Sequence, residues 1–433
     1  MKKTLLICLL LLNILANQTI AQQVATPAPK QSKAIVLQNA ILHIGNGTVQ
    51  NNTSIRFENG VIVAIGSNLK SDDATVIDAS NKHVYPGFIL MSTALGLSEI
   101  DAVRASIDHS EVGMNNANSR ALIAYNAESD IIPTIRNNGI LLAQITPKGY
   151  EGIQGTSFVA QLDAWNWEDA ALRVDDGLHL NFPSSLTYSG DWTTGFRLVQ
   201  NGAQPGQIEK LANIFQEAKL YASTTPTIKN LRFEAMKGVF DGSKTLYIAA
   251  SLAKDIIEAV HFAENLGVKN LVITGADEAW RITDFLKEKK IPLILNKSFV
   301  LPQRDDDHYD LPYKNAGILQ QAGIRFSFAY SFDTEPHHSR NLPFSAGMAV
   351  GYGLPYEAAV QAMTLSAAQI LGIDKQYGSL EVGKSATLFI STGDALDMRS
   401  NQLTHAFIDG RSIDLRSKHT QLYERFKEKY NQK

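Results

Sequence analysis

Between residues 246 and 371 short apolar runs alternate with stretches of helical spacing, and this alternation narrows the possible folds more than any other feature. Leu246 to Ala249 is an apolar run, after which Leu252, Ile256, Val260 and Ala263 fall on one helical face. Residues 271–273 read as the next strand, 278–290 as a helix and 291–295 as a strand. A short helix over 316–322 and a strand over 324–329 follow, then a long helix over 355–371 with Pro355 at its first position. Repeated β–α units imply a parallel sheet. A doubly wound open sheet is the alternative, but no Gly-rich phosphate fingerprint follows a strand. The number of units over residues 86–375 fits a closed (β/α)8 TIM-like barrel, an α/β fold.

Both ends of the folded chain are β. Residues 35–44 are mostly apolar and stop at Gly45-Asn46-Gly47, a turn signal. Residues 55–58 and the run Val61, Val63, Ile65 alternate on either side of Asn59-Gly60, a strong hairpin turn. Residues 74–78 form a further strand. Strand-like sequence returns over 378–390 and 405–411. Neither set has enough strands to bury a face alone.

The chain opens as an export signal: Lys2-Lys3, an apolar core over residues 4–12, and Thr19-Ile20-Ala21 as a cleavage site before Gln22. A membrane anchor needs about 20 apolar residues, and Asn13 and Asn17 interrupt this run, so no stable membrane anchor is expected. The protein is expected to be secreted, and periplasmic in a Gram-negative source. Residues 22–33 read as a flexible leader and 416–433 as a charged C-terminal tail. Cys8 is the only cysteine, so the mature chain has no disulfide and no thiolate metal site. A net charge of −3 with mixed signs presents no basic face for nucleic acid.

The run Val84-Tyr85-Pro86-Gly87-Phe88-Ile89-Leu90-Met91-Ser92-Thr93-Ala94-Leu95-Gly96 closely resembles the first-strand signature of the amidohydrolase superfamily. In that family a Pro-Gly-apolar-Ile run leads into Asp-x-His-x-His, whose two histidines hold a catalytic metal. Residues 139–147 and 152–155 resemble a mid-barrel segment of the imidazolonepropionase- and prolidase-like branch. Residues 353–360, 364–373 and 378–384 resemble the last helix and closing β pieces of that branch. The resemblance implies a small composite β-sandwich from residues 34–85 and 376–415, and a metal at the carboxyl ends of the barrel strands.

The frame is present and the ligands are missing. Leu90, Ser92 and Ala94 stand where the aspartate and two histidines belong. The fifth-strand histidine position falls at Ala249, the sixth-strand one at Gly275, and the proton-transferring aspartate at Ser331. A fourth-strand bridging position aligns loosely with Gln161. Alanine and glycine offer no donor, and a serine hydroxyl is a poor zinc ligand beside imidazole, carboxylate or thiolate. A catalytic zinc normally takes three protein ligands.

Two readings follow. In the first, the chain has abandoned metal-dependent hydrolysis, carries no cofactor, and acts as a binding protein or as the silent partner of an intact paralogue or a second copy. In the alternative it is a hydrolase of carbon–nitrogen bonds with a rebuilt site from Tyr330, Asp333, His337 and His338, joined by Asp305 or Asp307, holding a divalent metal such as zinc. His337 and His338 are adjacent, so both bind one ion only through a turn; the plainer reading is a polar loop. The acidic run Asp305-Asp306-Asp307-His308 with Asp310 lacks the Gly and distal Glu of an EF-hand loop and reads as a solvated face. Trp165, Trp167, Tyr188 and Trp192 line a cleft or form a satellite core. His43, His83 and His261 read as packing or surface residues. No Gly-x-Ser-x-Gly elbow and no P-loop occur.

Overall fold

The computed structural model describes residues 27–431 apart from 101, 194, 225–226, 297, 303, 305 and 331–335. The signal and cleavage segment and most of the leader lie outside the described residues, as do Ser331, Asp333 and Asp305. Five strands come first: β1 (Ala34–His43), β2 (Val49–Glu58), β3 (Val61–Gly66), β4 (Ala74–Asp78) and β5 (His83–Pro86). Asn59 and Gly60, at φ 51° and 82°, make the tight β2–β3 turn. Next come β6 (Phe88–Thr93), β7 (Ile140–Ile145), β8 (Gly152–Gln161) and β9 (Ala171–Asn181). The hairpin β10 (Leu186–Asp191) and β11 (Gly195–Gln200) stands apart as its own two-stranded sheet. Then follow β12 (Thr245–Ala250), β13 (Leu271–Gly275), β14 (Leu293–Leu295), β15 (Phe326–Phe328), β16 (Leu388–Ser391), β17 (Leu403–Ile408) and β18 (Arg411–Ser412).

The two ends meet in one sheet. Its order is β18-β17-β16-β5-β1-β2-β3, with β4 also paired to β1. Leu42, Phe57 and Val84 from the first end share a core with Leu388, Ile390 and Phe407 from the second. His43, buried against this sheet, hydrogen-bonds both Glu357 (2.7 Å) and His83 (2.9 Å), tying β1 and β5 to the helix Tyr356–Met363.

The other large sheet runs β6-β7-β8-β9-β12-β13-β14-β15, and a parallel bridge between Met91 and Ala329 brings the last strand against the first. It is an eight-stranded, nearly closed ring in a mixed α/β architecture. From β9 through β15 every neighbouring pair is parallel, with helices Ala253–Leu266, Thr283–Lys289 and Leu311–Ala322 between the strands, as the alternation predicts. The first half departs from strict β–α repetition. β8 runs antiparallel to both β7 and β9, because only residues 146–151 separate β7 from β8, too few for a crossover. The expected long helix over 355–371 is two helices, Tyr356–Met363 and Leu365–Leu371, broken at Thr364. Its hydroxyl caps the Val360 carbonyl at 2.7 Å.

Inward-facing Ile89, Leu142, Val159, Tyr247 and Ile294 pack with Ala367, Ala368 and Leu371, so the helix Leu365–Leu371 plugs the interior. Arg173, near the start of β9, donates to the Leu371 carbonyl at 2.5 Å, which puts that plug at the amino ends of the strands. The carboxyl ends are left open. Among the described residues no helix is long and apolar enough to cross a membrane. The tail forms the helix Lys418–Lys429 with no buried residue.

Candidate functional site

A cleft of about 470 Å³ opens at the carboxyl ends of the ring strands. Ser92 of β6, His179 and Asn181 of β9, Ala249 of β12 and Gly275 of β13 line it, with Asn296 after β14. The loop Pro147, Lys148, Gly149 and Tyr150 after β7 closes one side. This is the face where strand-end side chains converge in such rings. Three of the four described ligand positions of the resemblance therefore meet in one cavity.

Ala94 does not join them. It packs in the outer core with Leu95 and Leu97. Ser92 sits at φ 51° and the β6–β7 register shifts between Leu90 and Thr93. That irregularity breaks the two-residue alternation, so 92 and 94 lose their common face. Gly275 is also closed to a ligand. Its φ is 94°, and a Cβ there would meet the Ser251 hydroxyl oxygen at 2.9 Å. Gly275→His is expected to destabilise the protein by about 1–3 kcal/mol and to bring no ion with it. Denaturant unfolding with metal analysis of the variant checks this; a stable variant that gains stoichiometric zinc would refute it.

An ammonium stands at the first ligand position. Lys148 Nζ donates to the Ser92 carbonyl at 2.9 Å and lies 3.3 Å from its hydroxyl. Burial pushes this amine down to about 8, with no carboxylate drawing it back up. It remains mainly a cation at neutral pH.

Beneath the cleft runs a buried polar network. The Asp176 carboxylate accepts from Ser157 Oγ (2.7 Å), Gln144 Nε2 (2.9 Å) and Tyr247 OH (3.0 Å). Gln144 Oε1 in turn accepts from the Ser92 amide at 3.3 Å. Burial raises the Asp176 carboxyl, while its three donors oppose the rise. Burial, and then the charge of Asp176, holds the Tyr247 phenol well above its ordinary range, so it remains a donor. His179 Nε2 lies 2.8 Å from Ser157 Oγ. With Ser157 donating to Asp176, that nitrogen must carry the proton, and Nδ1 keeps its lone pair. The ring stacks on Tyr247 at 4.7 Å. Burial, and then the Lys148 charge, push the imidazole down to about 3.

These donors do not fit a catalytic zinc. The cleft offers one imidazole lone pair, the weak hydroxyls of Ser92, Ser184 and Ser251, and an Asp255 carboxylate already bonded to Ser184 and Ser185, beside an ammonium that repels cations. Among the described residues no three His, Cys, Asp or Glu side chains come together as an ion site.

The other sequence candidates lie elsewhere. His337 and His338, rings 4.2 Å apart, sit in the turn Pro336–Asn341 against the helix Ile131–Arg136. Neither they nor Tyr330 line the cleft. Gln161 is at the opposite end of the ring, because β8 is reversed; its Oε1 accepts from Arg411 at 3.0 Å. Asp307 pairs with Arg281, and Asp310 with Lys314 and His308. Tyr188 and Trp192 are exposed on the β10–β11 hairpin and Trp165 on the surface, while Trp167 packs on the outer core. Lys148 and His179 are absent from the sequence reading. The signals were a lysine one residue past Thr146-Pro147, and a polar His179-x-Asn181 pair interleaved with Leu178 and Leu180 at the end of β9.

Residues 250–413 match the model of the amidohydrolase family. No curated protein matches the chain. Among solved structures, an amidohydrolase from Thermotoga maritima is 23% identical with a TM-score of 0.77, covering 88% of this chain and 100% of that one. A Xaa-Pro dipeptidase with methionine bound in its active site is 15% identical with a TM-score of 0.54, over 88% of this chain and 100% of its own. An adenosine deaminase from Xanthomonas campestris with bound zinc is 14% identical with a TM-score of 0.55, over 93% and 99%. At such identities these likenesses speak for the fold.

Proposed function

We propose that this chain, which belongs to the amidohydrolase superfamily, has turned the family fold into a small-molecule-binding protein without metal-dependent hydrolysis. On this reading the ring is the family's (β/α)8 barrel with one strand reversed, and the composite sheet is its small β-sandwich. The observation that carries the proposal is the Lys148 ammonium seated on Ser92, at the first ligand position, with Ala249 and Gly275 on the cleft wall. A site that holds its own cation there has no ground for a second one. The protein acts in the exported fraction, alone or as the silent partner of an intact paralogue or a second copy.

Elemental analysis of protein purified from metal-supplemented medium tests the reading. We expect less than about a tenth of an equivalent of zinc, manganese or iron, in the range of adventitious binding. Near-stoichiometric metal, lost together with a hydrolytic activity, would sink the proposal. The alternative, turnover of amides, cyclic amides or dipeptides by Tyr330, Asp333, His337 and His338, requires that His337→Ala abolish that activity.

A further inference from the structure

We infer that the cleft receives a small carboxylate bearing a hydrogen-bond donor, its anionic group against Lys148 Nζ and its O–H or N–H against Nδ1 of His179. The inference rests on the metal-free reading above, since a resident ion would itself take the anion.

The charge comes first. Lys148 has three N–H donors, and the Ser92 carbonyl and hydroxyl account for at most two. Both partners are neutral, so the ammonium is solvated but not neutralised. A half-buried cation in a concave, partly dehydrated site attracts anions far more strongly than a surface lysine does.

The acceptor comes second. The network fixes the neutral tautomer of His179, with Nε2–H turned to Ser157 and a lone pair left on Nδ1. Both His179 and Lys148 line the cleft, and the lysine charge acts directly on the imidazole. A bare anion satisfies the ammonium but meets an unfavourable lone pair at His179. A 2-hydroxy acid or similar molecule offers both groups side by side. Phosphate fits less well, because phosphate sites converge several donors or a helix N-terminus on one group. Phe182, Ala249 and Ala250 supply apolar wall for a side chain, and the cleft volume is that of a small-ligand site.

The remaining titratable groups facing this space do not compete for the ammonium. Asp176 lies behind the imidazole and is occupied by three donors. Asp255, also on the cleft wall, is occupied by the Ser184 hydroxyl and the Ser185 amide, from which it accepts. Tyr150 and Tyr247 are phenols.

NMR titration of the full purified chain with 3-phenyllactate, its methyl ester, 3-phenylpropanoate and inorganic phosphate separates the contributions. We expect 3-phenyllactate to bind at least tenfold more tightly than the ester, which lacks the charge, and several-fold more tightly than phenylpropanoate, which lacks the donor. Lys148→Met should weaken 3-phenyllactate at least tenfold and Lys148→Arg should restore most of it, with circular dichroism confirming that both fold. Affinity should fall as pH rises through about 8, where the ammonium is lost. Equal binding of acid and ester, tighter binding of phosphate, no acid binding, or an unaffected Lys148→Met overturns the inference. Any of these in metal-free protein leaves the binding-protein reading standing; stoichiometric metal with turnover removes that reading instead.

Discussion

Asp163→Ala is expected to destabilise the protein by about 3–5 kcal/mol, the cost of breaking a buried ion pair by removing one partner. Asp163 and Arg136 are 7% and 4% exposed. One carboxylate oxygen accepts from Arg136 at 2.6 Å and the other from Arg411 at 2.8 Å and the Ala28 amide at 2.9 Å. Arg136 belongs to the ring's outer helix Ile131–Arg136, Asp163 follows β8, and Arg411 opens β18 of the composite sheet. A single carboxylate thus joins the ring, the composite sheet and the incoming chain. Without it two guanidinium groups face each other, and the Arg136 Nε–H already lacks a partner. Urea unfolding measures the loss, with the midpoint falling and the slope unchanged. Adding Arg411→Met should recover part of it, since the double variant no longer opposes two cations. A loss below about 1 kcal/mol would place the pair among exposed ion pairs of little consequence and refute the argument.

The part of the fold that was legible in the sequence is the part whose signals are local. From Thr245 to Phe328 each strand and helix announces itself by a change of period, and the structure pairs these strands in parallel in chain order. The composite sheet was legible because neither terminal set of strands can bury a face alone, and the motif through Pro86-Gly87 joins it to the ring. β8 was not. All ten of its residues are buried, so it lacks the alternation that reveals direction, and only the short connection after β7 marks its reversal. Thr364 likewise breaks a continuous helical pattern through a hydroxyl bond that no periodicity encodes.

The candidate site divides in the same way. Ser92, Ala249 and Gly275 were legible because the motif register carries through to the strand ends, and all three reach the cleft. Ala94 was misplaced because counting by twos assumes a regular strand, which β6 is not at Ser92. Lys148 and His179 lie outside every motif and become neighbours only when the loop after β7 folds over the end of β9. What the family motif could reveal was the absence of ligands; what replaces them is a long-range arrangement.

The largest effect of that arrangement should appear in acid. His179 is held at about 3 in the folded protein, against about 6.5 in an unfolded chain. The folded-state pKa is depressed, so between these values the unfolded chain binds a proton that the folded one refuses. The neutral imidazole's contribution is therefore fully present above about pH 6.5 and is lost as pH falls toward about 3. The full loss is about 4–5 kcal/mol, with a slope near 1.4 kcal/mol per pH unit. Asp176 acts in the opposite sense: its raised carboxyl binds a proton more readily when folded, which offsets part of the loss at the acidic end. Comparison with His179→Gln isolates the histidine, since Gln retains an N–H donor for Ser157 and cannot titrate. Urea unfolding of both proteins from pH 7.5 to 4 should show wild type losing stability steeply and the variant losing about 3 kcal/mol less, the histidine's share over that range. Parallel curves would mean that His179 takes up its proton freely in the folded state. The fixed Nδ1 lone pair, and the ligand chemistry drawn from it, would then be untenable.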